Sequence, residues 1–194
     1  MDFKQYYHTL FQECKELLLE PQKFWSKDNC EIGRDKVVPF LFVPLVILTG
    51  VAVFLGEIIS SPEILFSYAI MKAMREIVSY LLQFYIAIPV LTALLKNFGG
   101  TQEKEIIRFV LACSMVPFLV ASFITGLFPG LYILSILGLY GFYLFVKGTQ
   151  SCFKLPAENL WRYTILAILM IILIFGMINV ISWKFLLVIF PYGA

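Results

Sequence analysis

Apolar residues run through this chain in long blocks, with the polar positions gathered between them. Five stretches, Val37 to Ile59, Ile77 to Lys96, Phe109 to Leu127, Gly130 to Lys147 and Arg162 to Ser182, carry almost no charge. Each approaches or exceeds the roughly 20 residues that a helix needs to cross a hydrocarbon core of about 30 Å. Lipid offers backbone N–H and C=O groups no hydrogen-bond partners, so such stretches cross as helices. The pattern predicts an all-α fold, an integral membrane five-transmembrane-helix bundle over residues 37–194.

The first 36 residues follow another period. Phe3, Tyr7, Leu10, Phe11, Cys14, Leu17 and Leu18 recur every three or four positions, while Lys4, Gln5, His8, Gln12, Glu13, Lys15 and Glu16 fill the other face. That spacing predicts an amphipathic helix. Pro21 ends it, and Phe24 and Trp25 follow with rings that favour the headgroup level. The seven acidic residues up to Asp35 roughly cancel the basic ones. Attraction to anionic lipid is therefore weak, and the apolar stripe is expected to dock on the ends of the bundle itself.

Basic residues set the orientation. Lys4, Lys15, Lys23, Lys27, Arg34, Lys36, Lys96, Lys104, Arg108, Lys147, Lys154 and Arg162 fall on one side, and only Lys72, Arg75 and Lys184 on the other. The positive-inside rule then predicts a cytoplasmic N-terminus and an outside C-terminus. Residues 1–36 become a cytoplasmic interfacial segment. On this topology Cys14, Cys30 and Cys152 face a reducing compartment, so free thiols are expected rather than disulfides.

Composition agrees with a lipid-embedded chain. Of 194 residues 60% are hydrophobic and 14% charged, against about 25% charged in ordinary soluble domains. A net charge of +2 provides no field for nucleic acid. No secretory signal is expected, because the N-terminal stretch lacks an apolar h-region.

Several positions inside the bundle are candidates for more than lipid contact. Pro44, Pro89 and Pro117 fall within spans one to three, where each frees the carbonyl four residues back, on Phe40, Tyr85 and Cys113. Such breaks shape substrate sites in some transporters, but they are also common kinks, satisfied here by Thr92 and Ser114. In span four, Gly138, Gly141 and Gly148 project to one side at 100° per residue, and Tyr132, Tyr140 and Tyr143 to the other. Small residues permit close helix contact, and the tyrosines are candidate groove or interface groups. Before span two, Ser61, Pro62 and Glu63 carry helix-start signals, with Lys72 and Glu76 spaced to pair on one turn. Lys72 and Arg75 either snorkel to water or pair with Glu57 as an outer charge cluster. Phe185 to Phe190 is too short to cross alone and is expected to lie at the interface or cover the bundle.

Catalytic signatures are absent from the sequence. His8 is the only histidine, no phosphate loop occurs, and Asp28, Glu103, Glu105 and Glu158 show no metal-ligand spacing. No enzyme activity, cofactor or metal is expected.

With the spans placed, the chain resembles the Yip1 domain family of five-span membrane proteins. Pro21 with Phe24-Trp25, Pro117, Phe128-Pro129, the run from Leu139 to Gly148, Lys154 and Tyr163 carry the resemblance. It implies a compact five-helix domain with a cytoplasmic N-terminus. Eukaryotic relatives act in early secretory trafficking and associate with Rab GTPases or with one another. This chain lacks their long hydrophilic N-terminal region, and Tyr140-Gly141 is not followed by proline at the family's interval, so Rab binding is not carried over. The compact form is similar to bacterial members of the inner membrane. A noncatalytic scaffold or adaptor, partnered by another membrane protein or by its own copies in the bilayer, is the expected role. A small-molecule or lipid transporter or channel is the alternative, and it requires a polar path toward the midplane.

Overall fold

The structure, a computed structural model, describes residues 12, 14–26, 38–60, 66–100, 104–153 and 155–189, apart from the side chains of residues 26 and 157. Phe3, Tyr7, Leu10 and Phe11 of the expected N-terminal helix, Ser61 to Glu63 and the tail from residue 190 lie outside the described residues. Residues 14–19 are helical and lead into α1 (Pro21–Ser26). A π turn (Val38–Phe42) opens the first span and continues as α2 (Val43–Ser60). Then come α3 (Phe66–Asn97), α4 (Lys104–Leu127), a 3₁₀ segment (Pro129–Leu139) with α5 (Tyr140–Cys152), and α6 (Ala157–Ile189). Five helical stretches are long and apolar enough to cross a membrane, in agreement with the hydropathy pattern.

The fold is organised around α4. Of its most apolar stretch 72% is buried, against 39% and 44% for the first two spans and 22% for each of the last two. Phe109, Val110, Leu111, Ala112, Cys113, Met115, Val116 and Leu119 are all essentially inaccessible. α2, α3, the 3₁₀ segment and α5 pack around this helix, while α6 lies against α3 and α5.

Between helices in lipid, burying a leucine gains little, because acyl chains are as apolar as the neighbour. Close fit has to supply the difference. A Cβ at Gly56 of α2 would stand 1.9 Å from the Gly126 carbonyl oxygen of α4, and one at Gly126 would stand 2.7 Å from Val53 Cγ2. The Thr49 hydroxyl spans the same contact, donating to Leu45 O at 2.8 Å and to Leu119 O at 3.3 Å. On the other side of α4, a Cβ at Gly141 would lie 2.3 Å from Ser114 O, and one at Gly138 would meet the Phe118 ring at 2.8 Å.

Helix ends follow local chemistry. At the end of α3, Gly99 takes φ +81°, Gly100 N–H donates to Leu95 O and Gly99 N–H to Lys96 O. This double bond pattern is a Schellman cap and needs a residue free of Cβ strain at the left-handed position.

Four expectations change. Pro44 sits just past the π turn, at the seventh residue of the continuous helical run Val38–Ser60, rather than in mid-span. α3 and α4 run unbroken through Pro89 and Pro117, and Thr92 and Ser114 bond their own i−4 carbonyls, Ile88 and Val110, not those freed by the prolines. The first half of span four is 3₁₀, not α. Finally, α6 runs on through Phe185 to Ile189, since no Gly or Pro lies between Ser182 and Ile189, so this segment is a continuation of the last span's helix.

Gly56→Ala is expected to lower stability by about 1–3 kcal/mol, since the clash is with backbone that cannot move aside. Gly176→Ala, where nothing lies within 4 Å, is expected to stay within about 0.5 kcal/mol of the parent. Thermal unfolding of both variants in detergent measures the difference.

Candidate functional site

Chemistry in this molecule collects at the two ends of the bundle. At the end holding the termini of α2, α4 and the start of α3, the Gly56–Gly126 approach brings Glu57 to face α3. Glu57 is only 8% exposed. Its Oε2 accepts from Lys72 Nζ at 2.5 Å, while Arg75 Nη2 donates to Glu76 Oε2 at 2.8 Å. The expected Lys72–Glu76 turn pairing is thus replaced by two other pairs, because a carboxylate from α2 reaches Lys72 across the helix interface. The Arg75 guanidinium lies 4.9 Å over the Trp183 ring of α6, and Ser79 Oγ donates to Ser182 Oγ at 3.0 Å. Tyr80 and Ser122 share a hydroxyl hydrogen bond between α3 and α4.

These charges do not snorkel outward. Glu57, Lys72, Arg75 and Glu76 line a cavity of about 160 Å³ with Ser122, Thr125, Gly126 and Pro129. Arg75 Nε is buried there without an acceptor. An unsatisfied buried donor costs about 1–3 kcal/mol or more when charged, so its retention calls for a reason.

At the other end, the N-terminal segment covers the bundle. Leu17, Phe24 and Trp25 are buried. Phe24 stacks on Phe109 at 6.3 Å and Trp25 meets the same ring edge-on at 5.8 Å. A Cβ at Gly148 would come within 2.9 Å of both the Trp25 ring and Val110 Cγ1 of α4, so Gly148 opens a notch for the N-terminal indole and for the neighbouring span together. The Tyr140 hydroxyl donates to Leu18 O at 3.2 Å. This docking on the protein's own helices agrees with the charge argument from the sequence. Cys14 and Cys113 carry thiols, but Cys152 is disulfide-bonded, contrary to the expectation from spacing and compartment.

The sequence-selected residues therefore divide. Glu57, Lys72 and Arg75 converge on one cavity. Gly138, Gly141 and Gly148 all face α4, and Gly148 faces Trp25 as well. Tyr140 and Tyr143 stack at 5.4 Å, with Lys147 Nζ 5.8 Å from the Tyr143 ring centroid. Tyr132 does not join them: it lies in the 3₁₀ segment, 71% exposed, where the 100° projection fails and eight residues rise about 16 Å. Pro44, Pro89 and Pro117 do not meet in one site, since Pro89 is exposed and Pro117 buried. Sequence reasoning missed Ser122 and Thr125 at the cavity and Trp183 against Arg75, and it gave Glu76 a different partner. Arg75 and Glu76 were visible as charges, but their partners come from other spans. Among the described residues no group of three or more His, Cys, Asp or Glu is placed to hold a metal.

Glu57→Lys is expected to cost about 2–4 kcal/mol, because it sets like charges together where solvent is scarce. The exchange Glu57→Lys with Lys72→Glu is expected to restore most of that loss, as read from thermal unfolding of the single and double variants.

A family model, the Yip1 domain, matches residues 15–179. No curated protein and no solved structure matches the chain. The match takes in the docked N-terminal segment from Lys15, all of α2 to α5 and most of α6. With well over half of its length matched and five membrane-spanning helices in place, this chain belongs to the Yip1 domain family.

Proposed function

We propose that the protein is a noncatalytic scaffold or adaptor of the membrane, with its N-terminus in the cytoplasm of a bacterial cell and its bundle in the inner membrane. The observation that carries this is the filling of the bundle middle. Phe84, Leu91, Val110, Leu111, Met115 and Val116 are each at most 1% exposed, and they occupy the level where a transporter needs a polar path. The buried hydroxyls of Thr92 and Ser114 are spent on their own helices. A partner would be a membrane protein or a second copy of this chain, meeting either the docked N-terminal face or the outer flank of span four. The small residues of span four act in this reading as packing contacts inside the protein, which leaves the exposed Tyr132 and Leu19 to face partners.

Photoreactive residues placed at Leu19, Tyr132 and Tyr143 in intact membranes are expected to give one reproducible protein adduct, identified by mass spectrometry. Adducts with lipid or small molecules alone would overturn the scaffold assignment. Orientation has its own test. A tag placed at the C-terminus is expected to react with a membrane-impermeant label in intact spheroplasts, and a tag at the N-terminus only after permeabilisation. The reverse pattern would put the N-terminal face outside.

A further inference from the structure

We propose that the cavity between α2, α3 and α4 binds a phosphate linked to a primary ammonium, as carried by phosphatidylethanolamine, with Arg75 and Lys72 on the phosphate and Glu57 and Glu76 on the ammonium.

The wall chemistry selects this class. Two cations and two carboxylates line one cavity of about 160 Å³. A ligand of single charge sign would leave the opposite pair of wall charges facing a like charge in a poorly solvated place, which is costly. A zwitterion meets both. Arg75 supplies the directional element: Nη2 is held by Glu76 at 2.8 Å, and Nε has no acceptor although it is shut off from solvent. A guanidinium presents its N–H groups as a fork that matches two oxygens of a phosphate. The Trp183 ring, 4.9 Å from Arg75 Cζ, holds the guanidinium at this place by a cation–π contact.

Position selects the lipid form. The cavity lies where α2 ends at Ser60, α3 begins at Phe66, α4 ends at Leu127 and the 3₁₀ segment begins at Pro129. Helix ends of a membrane bundle stand at headgroup level. Pro129 is part of the cavity rim, and Phe128, Leu131, Ile133 and Ile136 next to it are 47–66% exposed, an apolar strip for acyl chains leading inward from the rim. A choline headgroup has no N–H to give Glu57 or Glu76, and a glycerol headgroup has no cation, so both should bind less well.

The test is native mass spectrometry of the detergent-purified, delipidated full chain, titrated with phosphatidylethanolamine, phosphatidylcholine and phosphatidylglycerol of identical acyl chains, and with soluble phosphoethanolamine as competitor. Phosphatidylethanolamine is expected to bind at least about tenfold more tightly than the other two lipids. Arg75→Gln should abolish that preference, and Arg75→Lys, which keeps the charge and loses the fork, should weaken it. Arg75→Lys decides the matter if the glutamine variant does not fold. Lys104→Gln, at the far end of α4, should leave it unchanged. Competition by phosphoethanolamine only in large excess identifies the lipid as the source of the headgroup, and competition at equal concentration identifies a soluble phosphoamine. Equal binding of all three lipids, or a preference that survives both Arg75 variants, overturns the proposal.

Discussion

Lipid surrounds this bundle with a medium as apolar as its own side chains, so association depends on how closely backbones approach. Here that approach is made against α4 from two sides. Gly56 and Gly126 bring α2 to backbone contact on one side, and Gly141 seats α5 against Ser114 on the other. Much of the rest follows from these contacts. α3 fills the remaining flank through Tyr80 with Ser122, and α6 closes over α3 through Ser79 with Ser182. Glu57 is buried because it follows Gly56 by one residue, not because an isolated carboxylate favours that place.

Polar groups are consequently driven to the ends. Lys72, Arg75 and Glu76 occupy the outer turns of α3, where they find Glu57 and Trp183, while Trp25 and Phe24 are drawn onto Phe109 at the opposite end. Among the described residues the middle stays mostly apolar, with Gln83 and hydroxyls such as Thr49, Thr92 and Ser114, which are bonded to helix carbonyls. This distribution among the described residues is what the proposed scaffold role rests on.

How much of this the sequence discloses depends on the physical scale of each feature. Crossing helices are visible because membrane thickness imposes a length that no soluble pattern matches. Docking of the N-terminal segment is visible because charge balance leaves only its apolar stripe to act. The 3₁₀ conformation of Pro129–Leu139 is invisible, since an uninterrupted apolar run has no polar phase from which a turn of three residues could be told from 3.6. Gly50 and Gly56 are six residues apart and Gly126 is alone in its span, so they form no stripe of small residues on one helix. Their importance arises only once α2 and α4 are side by side. The charge cluster fails in the same way: the i,i+4 spacing of Lys72 and Glu76 is a local rule, and Glu57 from another helix outcompetes it. Cys152 shows it again, because disulfide formation depends on proximity that spacing does not encode.

The bundle is closed around α4, and the native thiol of Cys113 tests this without any substitution. Cys113 lies in the middle of α4 and is 0% exposed, whereas Cys14 is half-buried near the surface. Treating the protein in lipid nanodiscs with a small water-soluble methanethiosulfonate and following each site by mass spectrometry compares the two thiols directly. The closed bundle predicts that Cys14 is modified while Cys113 stays protected until the protein is denatured. Modification of Cys113 in the folded protein at a rate close to that of Cys14 would contradict it, and would mean that water reaches the centre of the bundle.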